Sequence, residues 1–329
     1  MVRIAINGFG RIGRTVFKLA LENRMHVVAI NDLTNLDNLI YLLKYDTVYR
    51  KYKKRVFAHG KNLVVGDREI KVFREMHPEE LPWKKLKVDV AVECTGFFTS
   101  RSGAKKHLKA GAKRVLISAP AKVPDITVVK GVNDNRLRRH KIVSNASCTT
   151  NCFAPMVKVL DDAFGIRKGF MTTVHAYTGN QRILDGPHKK WRRGRAAAMS
   201  MIPTTTGAAK AVIEVMPHMK GKLDAMAIRV PVVDGSIVDF VAELNKSVTA
   251  NEVKRAFKKA SKGKMKSILE YSEDEIVSTD VIGNSHSCII DGLSTKANGN
   301  MVNVLGWYDN EYGYSCRMID ILKIMARNL

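Results

Sequence analysis

Eight residues near the N-terminus, NGFGRIGR (Asn7 to Arg14), constrain the fold more than any other stretch. They follow an apolar run, VRIAIN (Val2 to Asn7), and lead into a helical one, RTVFKLALEN (Arg14 to Asn23). A strand that passes through Gly8, Gly10 and Gly13 into a helix has the G-x-G-x-x-G turn of dinucleotide-binding folds. Glycine there permits a tight turn, close approach of backbone to a pyrophosphate and close helix packing, and the helix N-terminus stabilises the negative charge. Asp32 ends the next strand, HVVAIND (His26 to Asp32), about 20 residues on, where its carboxylate accepts from both ribose hydroxyls of NAD. The same carboxylate repels a 2′-phosphate, so NAD is expected over NADP.

The alternation continues. NLDNLIYLLKY (Asn35 to Tyr45) has helical spacing, and VDVAVECTG (Val88 to Gly96), SGAKKHLKAG (Ser102 to Gly111) and KRVLISAP (Lys113 to Pro120) repeat strand, helix, strand. That order builds a parallel sheet covered on both faces. From CFAPMVKVLDDAFG onward, one helix gives way to the long strand patterns MTTVHAY, LDAMAIRVPV, GSIVDFVAEL, HSCIIDG and MVNVLGWYD, which predict a largely antiparallel sheet. Between them, residues 178 to 203 have little periodicity and much Arg, Gly and Lys, as a functional loop would. The expected fold is therefore α/β: a Rossmann-type parallel-sheet dinucleotide domain over residues 1–147, joined by a returning C-terminal helix over 312–329, and an α+β catalytic domain over 148–311.

The chain's 329 residues suffice for two such domains. No signal-peptide layout, targeting tripeptide or long apolar span stands out, which makes a cytoplasmic location the expectation and a membrane role none. Lys and Arg outnumber Asp and Glu by 55 to 31, a net charge of +24. The basic clusters, among them KYKKR (Lys51 to Arg55) and HKKWRRGR (His188 to Arg195), are dispersed. They predict a solvated basic surface with nonspecific nucleic-acid binding rather than sequence recognition. Five scattered cysteines are too few for a disulfide framework, and no finger-like partner accompanies Cys148 and Cys152, so no metal is expected.

SNASCTTNC (Ser144 to Cys152) carries the chemistry. If Ser147 caps a helix that begins near Cys148, the thiol sits at the positive helix end, where its pKa should fall, and the first-turn N–H groups can receive an oxyanion. Cys152, one turn on, packs. Among nine histidines His175 lies in the apolar strand TTVHAY ahead of the irregular loop, and is the candidate base.

With INGFGRIGR, ECTGFFT, SAPAK, SNASCTTNC, TTVHAYTG, PTTTGAAKAV, LKGKLDAMAIRVPV and WYDNEYGYS in order along the chain, the sequence resembles phosphorylating glyceraldehyde-3-phosphate dehydrogenases over nearly its whole length. The resemblance implies NAD-dependent oxidation of glyceraldehyde 3-phosphate to 1,3-bisphosphoglycerate, in glycolysis or gluconeogenesis. It makes Cys148 the nucleophile that forms thiohemiacetal and thioester, and His175 the base. It places Thr178, Arg193 and Arg229 on the substrate phosphate, and Ser147, Thr149, Thr206 and Gly207 on the attacking phosphate. Arg11, Ile12, Thr95, Gly96, Ser118 and Asn310 join the glycines and Asp32 as NAD contacts. It also implies a homotetramer, with the 178 to 203 loop lining neighbouring cofactor sites. Asn180 and Met76 depart from the family pattern, which has Asp and a basic residue there in many members. The alternatives are an erythrose-4-phosphate dehydrogenase, whose relatives depart from TTTGAAKA, and a basic nucleic-acid-binding protein on the same fold.

Overall fold

The computed structural model describes residues 2–327 and 329. Its contacts divide the chain into two compact units, Met1–Val128 with Asp134–Ala146 and Ser315–Leu329, and Val129–Asn133 with Ser147–Tyr314.

In the first unit the glycine turn joins β1 (Arg3–Asn7) to α1 (Arg11–Glu22), which begins inside the turn at Arg11. β2 (His26–Asn31) and α2 (Leu36–Lys44) follow, with Asn35 capping α2 by accepting from Asn38 N. Next come β3 (Val56–His59), β4 (Asn62–Val65) and β5 (Arg68–Phe73). The strand and helix alternation does not predict these three. They are joined by two-residue turns that put Gly60 and Gly66 at φ +57° and +62°, the backbone such hairpins favour. β6 (Val90–Glu93), α3 (Arg101–Lys109), β7 (Arg114–Ile117), β8 (Ile126–Thr127) and β9 (Ile142–Ser144) complete a nine-stranded sheet ordered β3-β4-β5-β2-β1-β6-β7-β9-β8. From β5 to β8 every pair is parallel, so the strands are buried on both faces, as in the fully apolar Ile4, Ala5 and Ile6 of β1. The chain goes to opposite sides of β1 for β2 and β6, which makes this edge the place for a ligand.

The second unit opens with α4 (Cys148–Phe164), which starts at the cysteine. Then come β10 (Ile166–Ala176), β11 (Ile202–Thr205), α5 (Ala208–Val215), β12 (Leu223–Val230), β13 (Ser236–Leu244), α6 (Ala250–Lys262), β14 (Leu269–Ser272), β15 (Cys288–Asn298) and β16 (Met301–Tyr308). The sheet runs β11-β12-β10-β13-β16-β15-β14. It is antiparallel except where β10 pairs with β12 and β14 with β15. The parallel β10 and β12 pair matters for the site, because it sets His175 level with Arg229. α7 (Tyr312–Arg327) ends the chain, and from Ser315 on it belongs to the first unit, where Arg114 Nη1 caps it by donating to Met325 O (2.8 Å).

Candidate active site

In the first unit a cleft of about 620 Å³ opens at the C-terminal ends of β1, β2 and β6, and Gly8, Gly10, Asp32 and Thr95 line it. Gly8 has φ +90°, and a Cβ there would stand 2.7 Å from Thr95 N; one on Gly13 would stand 2.1 Å from Gly8 O. Neither position accepts a side chain. Gly10 is the N-cap of α1 with no side chain to cap it, and the space beside it is open, so the first-turn N–H groups of Arg11 and Ile12 face a place an anion can fill. The Arg11 guanidinium itself is turned to Asp46 (3.0 Å). Asp32 accepts from Phe9 N through Oδ2 (2.7 Å) and from Thr34 N through Oδ1 (2.9 Å), and each oxygen keeps a lone pair for a ribose hydroxyl. Gly96 has φ +77° beside Thr95, and Ser118, one strand over, donates its N–H to Glu93 O (3.0 Å). An uncapped helix end, a bare backbone wall and a carboxylate at a sheet edge fit a dinucleotide.

The second unit brings the candidate nucleophile and base together. Ser147 Oγ accepts from Thr150 N (3.1 Å) as the N-cap of α4, leaving half-buried Cys148 in its first turn. Cys148 Sγ lies 3.4 Å from His175 Nε2. His175 Nδ1 lies 2.7 Å from the Ala176 carbonyl, which can only accept, and 3.0 Å from Arg229 Nη1, which can only donate; the shorter contact, to the carbonyl, assigns the proton to Nδ1 and leaves the Nε2 lone pair facing the sulfur. Arg229 Nη1 donates to the same carbonyl (2.9 Å) and reaches Thr178 Oγ1 (3.4 Å). Its Nε is buried with no partner among the described residues, a guanidinium edge that an anion would satisfy. Arg193, buried, is held by Thr204 Oγ1 (3.0 Å) and the Thr205 carbonyl (3.2 Å), close enough to depress the His175 pKa.

One expectation reverses. The helix end predicts a lowered thiol, but burial pushes the Cys148 thiol up, against the Arg229 guanidinium and the Thr149 N–H that pull it down. Burial, then Arg229, takes the His175 imidazole down to about 3. Both shifts disfavour charge, so the resting pair is a neutral thiol beside a neutral imidazole, and the proton moves when the reaction supplies a reason.

The hydroxyls expected on the attacking phosphate already have partners: Ser147 caps α4, Thr149 Oγ1 meets Tyr308 Oη (2.9 Å), and Thr206 Oγ1 accepts from Ala208 N (3.2 Å). Gly207 is the N-cap of α5, with open space beside it. Asn310 Oδ1 accepts from Ser236 Oγ (2.6 Å), which in turn accepts from Ala176 N (3.1 Å), tying the amide to the residue after His175. Sequence reasoning passed over three residues. Tyr308 bonds Thr149 and Thr173 (both 2.9 Å) and stacks edge-on to His175 at 5.9 Å. Gln181, buried, accepts from Thr178 N (3.3 Å) and leaves Nε2 without a partner among the described residues, and Ser236 sets Asn310. Only Tyr308 carried a signal, an aromatic at the buried end of WYDNEYGYS.

Residues 2–101 match the family model for the glyceraldehyde 3-phosphate dehydrogenase NAD binding domain, and residues 147–310 that for the C-terminal domain of the same enzyme. The chain is 56% identical over 329 residues to glyceraldehyde-3-phosphate dehydrogenase of Geobacillus stearothermophilus, covering 99% of this chain and 98% of that one. It is 55% identical over 329 residues to the enzyme of Priestia megaterium, with the same coverage. Against glyceraldehyde-3-phosphate dehydrogenase 1 of Kluyveromyces marxianus the identity is 50% over 330 residues, 99% of this chain and all of that one.

Proposed function

Because the chain belongs to the glyceraldehyde-3-phosphate dehydrogenase family, an NAD-dependent oxidoreductase family acting on an aldehyde, we propose that it oxidises glyceraldehyde 3-phosphate to 1,3-bisphosphoglycerate. Cys148 is the nucleophile and His175 its base. The observation that carries this reading is the thiol at the head of α4, 3.4 Å from His175 Nε2, beside an arginine whose Nε has no partner among the described residues.

The thiol proton passes to His175 Nε2 as Sγ attacks the aldehyde carbon, and the same nitrogen returns it to the carbonyl oxygen, giving a thiohemiacetal. The N–H groups at the head of α4 stabilise the oxyanion between these steps. Gly8, Gly10, Arg11, Ile12, Gly13, Asp32, Thr95, Gly96, Ser118 and Asn310 would hold NAD, which would supply the two-electron acceptor. His175 takes the hydroxyl proton as the thiohemiacetal is oxidised to a thioester on Cys148. Inorganic phosphate then attacks the thioester carbon, the C–S bond breaks, and the acyl phosphate leaves a thiolate that recovers its proton from His175. Arg229, Arg193 and Thr178 hold the substrate phosphate, and Thr206, Gly207, Ser147 and Thr149 the attacking one, the last two by exchanging internal hydrogen bonds for bonds to the anion.

The reading extends to a catalytic domain over 148–311, a homotetramer and a cytoplasmic location. Trp191, Met199, Ile183 and Leu184 stand 77 to 89% exposed in the 178 to 203 segment, apolar surface that neighbouring copies would cover. All five cysteines are thiols rather than disulfides, as a reducing compartment keeps them. NADH formation with glyceraldehyde 3-phosphate, with and without inorganic phosphate, tests the function, with erythrose 4-phosphate run alongside. Turnover that needs phosphate and prefers the triose is expected; no burst and no turnover with either sugar sinks the proposal.

A further inference from the structure

Behind the cleft of the first unit lies a chain of buried polar side chains that the proposed mechanism does not use. Asn31, Asn7 and Glu93 end β2, β1 and β6 and stand in register across the three strands. The hydrogen bonds between them run toward the carboxylate, while Asn31 also bonds the Glu75 backbone through its Nδ2 and Oδ1 (2.8 Å each). Asn31 Nδ2 donates to Asn7 Oδ1 (2.7 Å), and Asn7 Nδ2 donates to Glu93 Oε2 (2.7 Å). Trp83 Nε1 donates to His107 Nδ1 (3.1 Å), which fixes the other ring nitrogen as a donor, and His107 Nε2 gives its proton to Glu93 Oε2 (3.0 Å). On the far oxygen, Glu93 Oε1 accepts from both the N–H (2.7 Å) and the hydroxyl of Thr95. Glu93, His107, Trp83 and Asn7 are at most 1% exposed, and Asn7, Asn31 and Thr95 border the cleft. Phe98, another lining residue, sits edge-on to the His107 ring at 6.4 Å.

Burying a carboxylate disfavours folding unless every acceptor is met, and an apolar group could fill the same space. What the carboxylate does that an apolar group cannot is orient wall residues on two strands at once. We propose that Glu93, steadied by His107 and Trp83, is a positioning residue for NAD, setting Thr95 and Asn7 in the geometry that binds the dinucleotide. This rests on the cleft being the cofactor site.

The full-length protein tests it by calorimetric NAD titration, by KM for NAD against kcat, and by thermal melting of each variant. Glu93→Gln turns one acceptor oxygen into a donor facing N–H groups, and should raise the Kd and KM for NAD about tenfold or more while kcat at saturating NAD falls by a smaller factor. His107→Leu should weaken binding by a smaller factor, and His107→Gln, which keeps an N–H donor, should recover part of it. Should Glu93→Gln not fold, Trp83→Phe keeps an aromatic ring in the core but removes the indole N–H and part of the ring volume, and about threefold weaker NAD binding is expected with only a small fall in melting temperature. Variants that bind NAD as tightly as the wild type overturn the proposal, as does affinity lost only in step with melting temperature. A wild-type protein that binds no NAD fails the functional reading itself, and this inference with it.

Discussion

At the scale of residues, the two reactive groups are tuned by where they are buried. In the proposed mechanism His175 is the base, and burial and then Arg229 hold its imidazole neutral, its pKa down at about 3. Base catalysis of this kind is typically worth about 10²–10⁴ in rate, so His175→Asn should slow NADH formation by that factor and leave the NAD dissociation constant unchanged. A variant that turns over like the wild type would remove His175 from the mechanism. The same burial has a stability consequence. Between the ordinary imidazole value of 6.5 and about 3, the unfolded chain binds a proton at His175 that the folded chain refuses. The contribution is therefore fully present above 6.5 and is lost as pH falls toward about 3. Unfolding free energies measured from about pH 7 to 4 should fall less steeply in His175→Asn than in the wild type, and equal slopes would contradict the assigned burial. His175 was visible in TTVHAY as a histidine out of place among apolar residues. The direction of the Cys148 shift was not visible, since a helix-end argument contains no desolvation.

Elements place these residues more precisely than their own spacing does. Ser147 was legible as a cap because a small hydroxyl precedes an apolar helix, and its Oγ accepts from Thr150 N (3.1 Å). Ser147→Ala should cost about 1 kcal/mol of stability and lower kcat, by loosening the turn that carries Cys148. Chemical denaturation reads the first effect and steady-state kinetics the second; an unchanged denaturation midpoint would mean the cap is not holding the helix. Tyr308, by contrast, joins Thr149 on α4 to Thr173 on β10, residues more than 130 positions away from it in sequence. No local pattern announces such a hub. The strands β3 to β5 were missed for a related reason: they are short, and their Gly60 and Gly66 turns lie outside the strand and helix rhythm around them.

For the whole molecule, the exposed apolar side chains of the 178 to 203 segment and the net charge of +24 pull in different directions. Apolar surface favours association, and uniform charge opposes it more strongly as salt is removed. Sedimentation at physiological salt should give the mass of four 36.7 kDa chains, and Trp191→Glu should shift it toward smaller species. A wild-type monomer at micromolar concentration would contradict the tetramer. RNA retention should be weak and drop steeply between low and physiological salt; retention indifferent to salt would point to a shaped site rather than a basic surface.

The sequence by itself determined the strand, glycine turn and helix at the cleft edge, the helix start at Cys148 and the carboxylate of Asp32 just past the second strand, because each is a local matter of backbone sterics, capping or one charge. Only the tertiary structure decided the rest. Pairing β10 in parallel with β12 sets His175 beside Arg229, and burial makes the thiol and the imidazole neutral. Closing β2, β1 and β6 side by side assembles the chain from Asn31 to Glu93. Those outcomes depend on which distant segments exclude water from one another, and that is a property of the packed chain.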